Sequence, residues 1–140
     1  MGASSSKLGE RPLEFPLSLS APAEIIALQS VPQRHIGTME RSGRVLQMDY
    51  NKNIVGWVDA QGNAFRNDFN RTKVGRVDLV TKLIYQEDYN KTLIGRVDGN
   101  GSIFACSTVV HSSLTDVAIG MITGPEDSFP FAACAFLLLF

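Results

Sequence analysis

The chain has 140 residues, 13 Lys and Arg against 14 Asp and Glu, a formal charge of −1 and a 44% hydrophobic share. That length and apolar content suit one folded domain with its own core and exclude a disordered tail. The balanced charge argues against the basic stripe that nucleic-acid binding needs. Two cysteines, Cys106 and Cys134, are too few for a disulfide scaffold, and with no secretory pattern at the start they point to a reduced, cytoplasmic protein.

Residues 1–35 read as an extended N-terminal lead-in. Met1-Gly2-Ala3-Ser4-Ser5-Ser6 fits the N-myristoylation pattern, with Gly2 as the acylated residue. A single acyl chain holds a membrane only marginally, and the usual basic reinforcement is weak because Glu10 and Glu14 offset Lys7 and Arg11. Four prolines, Pro12, Pro16, Pro22 and Pro32, keep this stretch extended. Between them, Ser20 as a cap, Glu24 in the first turn and Ile25, Ile26 and Leu28 as an apolar side predict a short helix over 21–29.

From residue 36 to 140 the chain is a repeat domain. Glycines follow a branched apolar residue at Ile36-Gly37, Val55-Gly56, Val74-Gly75 and Ile94-Gly95, spaced 56 − 37 = 19, 75 − 56 = 19 and 95 − 75 = 20. Repeats therefore start near 36, 55, 74 and 94, and Ile119-Gly120 marks a degenerate further copy near 119. In each unit the period of two makes a strand, with Gly56 and Val58 on one face and Val55 and Trp57 on the other. An acidic residue (Glu40, Asp59, Asp78 or Asp98) leads into a turn and a returning strand such as Ala64-Phe65 or Ile103-Phe104.

A second signature, Asp-aromatic-Asn-basic, closes three units at Asp49-Tyr50-Asn51-Lys52, Asp68-Phe69-Asn70-Arg71 and Asp88-Tyr89-Asn90-Lys91. It predicts a turn with Asn in the left-handed conformation and the ring folded over the hairpin. These turns also contain two of the three glycosylation-like triplets, Asn70-Arg71-Thr72 and Asn90-Lys91-Thr92, and the third is Asn100-Gly101-Ser102; all three read as turn chemistry. In the third repeat Thr81 replaces the turn glycine and one residue is added, which predicts a bulge or a longer turn.

The recurring glycine asks for a place where a side chain does not fit, most simply an axis that the units surround. The expected fold is all-β: four hairpin repeats in a small radial or barrel-like arrangement, closed or plugged at the centre by the apolar segment from Phe129 to Phe140. Twelve residues are too few to span a bilayer, and insertion into a membrane surface or a partner is the alternative to core packing for this segment. Gly56-Trp57-Val58-Asp59-Ala60-Gln61-Gly62 and Gly95-Arg96-Val97-Asp98-Gly99-Asn100-Gly101-Ser102-Ile103-Phe104 resemble the units of four-fold β-flower repeat domains. The resemblance covers about half the chain and implies a radial β fold with no catalytic residues.

Candidate chemistry is sparse. Asp98-Gly99-Asn100-Gly101-Ser102-Ile103 looks like the middle of a calcium loop, but Arg96 and Ser107 stand where its first and last ligands belong. The four acidic residues Glu40, Asp59, Asp78 and Asp98 could form a ring around a cation, with Asp59, Asp78 and Asp98 as the metal candidates, although pairing with neighbours such as Arg76 and Arg96 is the simpler expectation. His35 and His111 have no metal-ligand spacing, and Cys106, Ser112 and Ser113 near His111 have no identifiable acidic or oxyanion partner for hydrolase chemistry.

The outward row Thr38, Trp57, Arg76 and Arg96 has the composition of a protein-binding surface, unless Trp57 simply packs under the lead-in. Two readings follow. One is a non-enzymatic structural or protein-binding module without a cofactor, cytoplasmic or held at a membrane periphery through Gly2. The other is a small-ligand or cation-binding β-repeat protein.

Overall fold

A computed structural model describes residues 17–28, 34–48, 51–105 and 118–140. Its strands are β1 (Ala23–Ala27), β2 (Arg34–Met39), β3 (Arg44–Gln47), β4 (Ile54–Val58), β5 (Asn63–Arg66), β6 (Lys73–Val77), β7 (Leu83–Gln86), β8 (Leu93–Val97), β9 (Ser102–Ala105) and β10 (Ala118–Thr123). After them come a 3-10 turn, Glu126–Ser128, and the helix α1, Phe129–Leu139. Neighbours in sequence pair antiparallel, and β1 pairs with both β2 and β10, so the sheet closes into a barrel. The degenerate copy near 119 is β10, and Gly120 holds the place of the repeat glycines.

The lead-in corrects one expectation: the segment expected as a helix over 21–29 forms the strand β1 over Ala23–Ala27. Ala23 and Ile25 are fully buried while Glu24 between them is exposed, a period of two that a helix would not satisfy. Without β1, β2 and β10 would each present an unpaired edge; closure supplies partners for both rows of backbone groups, and this outweighs a weak local preference for helix. Ser20, expected as a helix cap, instead bonds through its N–H and hydroxyl to the Asp127 carboxylate, both at 3.3 Å.

The barrel wall is built in layers. The odd strands contribute Ile25, Val45, Ala64, Ile84 and Ile103, all with no exposure. The even strands contribute Met39, Val58, Val77, Val97 and Ile122 at one level, and the repeat glycines two residues earlier on the same inward face. Register joins the two sets, because Gly37 sits opposite Ile25, Gly56 opposite Val45, Gly75 opposite Ala64 and Gly95 opposite Ile84.

The C-terminal segment fills the centre as α1. A helix that is apolar on every side belongs in a core, and Phe129-Pro130-Phe131-Ala132-Ala133-Cys134-Ala135-Phe136 and the residues after it have no polar face. Pro130, in the first turn, costs no hydrogen bond there. Ala132, Ala133, Cys134 and Ala135 are fully buried. Cys134 lies 3.8 Å from the Gly62 carbonyl, which also accepts the Val77 amide, so the small helix residues stand near the level of the bulky wall ring.

Four helix residues advance about 6 Å and two strand residues about 6.7 Å. Leu138, four residues after Cys134, therefore arrives at Gly75, two residues before Val77. There a Cβ on the glycine would lie 2.6 Å from Leu138 Cδ1. Small helix residues face a wide wall layer and large ones face glycines.

Candidate functional site

The glycine layer is matched residue by residue. A Cβ added to Gly120, Gly95, Gly75, Gly56 or Gly37 would collide with Phe136, Leu137, Leu138, Leu139 or Phe140 respectively. Successive helix residues swing about 100° around the axis, so five in a row address five sectors of the wall. At Gly37, Gly56, Gly75 and Gly95 the neighbouring strand's carbonyl also crowds the site, which is the backbone approach expected of a repeat glycine. The lumen is consequently packed with the chain's own side chains.

The turns at the end where α1 enters hold the acidic residues. Asp59, only 3% exposed, accepts from the amides of Gln61 and Asn63 at 3.0 and 2.9 Å and from the Asn63 side chain at 3.3 Å. Asp98 accepts the amides of Asn100 and Ser102, both at 2.9 Å. The Asp78 carboxyl accepts from Val80 and Thr81, and those backbone bonds hold its pKa below the ordinary value, with the Arg76 charge a lesser cause. These three carboxylates thus accept from the amides of their own turns, and the expected influence of Arg76 is present at Asp78 as the lesser cause.

Glu40 is bonded directly by Arg44, at 2.7 Å. Among the described residues no group of three His, Cys, Asp or Glu side chains is placed to hold a metal ion.

In the third of these turns the chain is longer by one residue. The Lys82 amide reaches the Asp78 carbonyl, where Gly62 reaches Asp59 one residue sooner, and Lys82 takes the left-handed conformation, φ 65°, that Gly43, Gly62 and Gly101 take elsewhere.

At the opposite end the second signature folds differently from expectation. The left-handed residue is the basic one, Lys52, Arg71 or Lys91 at φ 49, 53 and 52°, and not the asparagine. Asp68 and Asp88 set this geometry by accepting the amide (2.9 Å) and hydroxyl (2.8 Å) of Thr72 and Thr92, which draws the chain back on itself. Nor do the rings cover the hairpins: Phe69 is 90% and Tyr89 99% exposed. Asp49 and Tyr50 of the first copy lie outside the described residues.

The outward row is a belt around the barrel waist. Trp57 stands across from Phe65, Arg76 from Tyr85 and Arg96 from Phe104. Arg76 lies 5.2 Å over Tyr85 and Arg96 4.2 Å over Phe104, while Trp57 is covered by Arg71 at 4.3 Å. Thr38 takes the equivalent place on β2, opposite Leu46, and its hydroxyl lies 3.3 Å from His35 Nε2. Arg76 is the exposed member, and Trp57 and Arg96 are half-buried. Gly2, His111, Cys106, Ser112 and Ser113 lie outside the described residues.

These features define a closed antiparallel barrel with its own C-terminal helix in the lumen. No protein-family model, curated protein or solved structure matches the chain. No helix among the described residues is long and apolar enough to cross a membrane.

Proposed function

We propose that this protein is a non-enzymatic structural or binding module whose barrel wall contacts a protein partner or a larger assembly, with acylation at Gly2 as its attachment near a membrane. The observation that carries this reading is the filled lumen. Barrels that hold small ligands do so in the interior, and here Phe136 to Phe140 occupy that space. Contact is left to the outside, where the belt through Trp57, Arg76 and Arg96 presents guanidinium groups stacked on aromatic rings, residue types enriched at interfaces.

The test is affinity capture from the source cells with wild type beside Arg76→Glu/Arg96→Glu, after thermal melts show that both are folded. Loss of a reproducible partner on the charge reversal is the expected result; the same partner retained contradicts a role for the belt.

One observation favours the small-ligand alternative. A cavity of about 350 Å³ opens beside the α1 entrance, lined by Leu79, Lys82, Asp98, Asp127, Phe129 and Phe131 among others. A rise in melting temperature with calcium or a small-molecule panel, abolished by Asp98→Asn, would move the assignment to that site.

A further inference from the structure

The end of the barrel where α1 finishes has a surface that the belt does not explain. Phe69 and Tyr89 are almost wholly exposed, at equivalent places in two connections, and Phe has no polar atom to justify such exposure. Neither ring hangs on a loose loop, because the Asp68 to Thr72 and Asp88 to Thr92 bonds fix both turns. Between the connections the barrel mouth is apolar: Leu137, Leu138 and Leu139 are half-buried and Phe140 is 41% exposed.

Charge is distributed unevenly along the barrel axis. Among the described residues this end carries six basic side chains (Arg34, Lys52, Arg66, Arg71, Lys73, Lys91) against Asp68, Glu87 and Asp88. Asp49 and Asp116 lie outside the described residues. The α1 entrance is the reverse, with seven acidic residues (from Glu24 and Glu40 to Glu126 and Asp127) against five basic ones, Arg41, Arg44, Arg76, Lys82 and Arg96.

We propose that the Phe69 and Tyr89 end is a docking face for an anionic lipid surface. Single rings on rigid, separate tips around an apolar mouth suit insertion into a headgroup layer, where aromatic side chains concentrate. Neither ring lines the cavity of about 310 Å³ that Arg66, Lys73, Glu87, Leu137 and Leu138 border at this end, so both are left to an external surface. The axial charge asymmetry orients the molecule, drawing the basic end towards lipid phosphates and turning the acidic end away. This deepens the membrane-proximal part of the function proposed above, but its physical basis does not involve Gly2, so the two fail separately.

The experiment uses full-length protein produced without an acyltransferase and co-sedimented with vesicles of phosphatidylcholine plus phosphatidylserine, or of phosphatidylcholine alone. Wild type is expected to bind the anionic vesicles, less as salt is raised. Phe69→Ser/Tyr89→Ser is expected to lower the partition coefficient by about tenfold or more, since each ring withdrawn removes buried apolar area. Val80→Ser, at the other end with 89% exposure, is the control and should bind as wild type does. Both variants alter exposed positions, so melting temperatures should hold. No binding by wild type, or unchanged binding by the double variant, overturns the proposal. Loss of membrane fraction in cells on Gly2→Ala, with vesicle binding of the unacylated protein intact, leaves both mechanisms standing as separate contributions.

Discussion

Gly120 and Phe136 divide one volume between them. The three atoms nearest to a Cβ built on Gly120 all belong to the Phe136 ring, at 2.7, 2.8 and 3.1 Å. The other four repeat glycines also meet a strand carbonyl, so this pair isolates the contact between wall and helix.

A double-mutant cycle on the pair should therefore show strong coupling. Gly120→Ala overpacks the lumen at about 1–3 kcal/mol, and Phe136→Ala leaves a cavity at about 3 kcal/mol. The double variant should be more stable than the sum predicts by about 1 kcal/mol or more, read from urea midpoints. Strict additivity would mean that ring and glycine do not meet.

Asp59 should matter more for stability than its counterparts in the other turns. It is 3% exposed and accepts three bonds, so Asp59→Ala removes a buried acceptor and takes from the part-buried amides of Gln61 and Asn63 their partner. Leaving such donors unpaired costs about 1–3 kcal/mol. Asp98→Ala, in a more open turn, should cost less in the same denaturant titration.

Acid should destabilise the protein through the second set of turns. The Thr72 and Thr92 bonds hold the Asp68 and Asp88 carboxyls below their ordinary pKa, and the Lys91 side chain does the same for Glu87. A folded-state pKa below the unfolded one contributes stability that is complete above the unfolded carboxylate value of about 4. That contribution is lost as pH falls from there through the depressed folded values. Urea midpoints of wild type should fall more steeply over this acid range than those of Asp68→Asn/Asp88→Asn. Parallel curves would assign the acid sensitivity elsewhere.

The Cys134 thiol should be inert in the native protein. Burial in α1, and then the nearby Asp59 charge, push its pKa far above the usual range and keep reagents out. In a Cys106→Ser background, disulfide-reagent labelling should proceed only at the rate of global unfolding. Rapid labelling of native protein would place the helix outside the barrel.

Much of this architecture is legible because glycine at a fixed strand position leaves a regular mark in sequence. The spacing of Gly37, Gly56, Gly75 and Gly95 locates the even strands and their inward face, and Gly120 remains recognisable despite its displaced interval. The apolar run from Phe129 could be read as a plug, but the run itself does not reveal that five successive residues meet five successive glycines. That correspondence depends on helix rotation and barrel spacing together, which no local pattern records.

Ala23-Glu24-Ile25-Ile26-Ala27 is locally ambiguous, and only the two open edges of β2 and β10 decide for strand. The left-handed basic residues were missed for a related reason. Asn has the better intrinsic tolerance of positive φ, yet the Asp68 and Asp88 bonds to the threonines impose the bend one residue later, at Arg71 and Lys91. Of the candidate surface, the outward direction of Trp57, Arg76 and Arg96 follows from the period of two, whereas the placement of Arg71 over Trp57 joins a turn to a strand and is invisible in either alone.

The central claim is that α1 lies inside the barrel with its leucines against the glycines, and proton nuclear Overhauser effects between the Leu138 methyls and the Gly75 α-protons test it most directly. With Leu138 Cδ1 2.6 Å from where a Gly75 Cβ would stand, strong cross-peaks are predicted, with the matching set between Leu139 and Gly56. Their absence in a folded protein with both residues assigned would empty the lumen of α1 and reopen it as a ligand site.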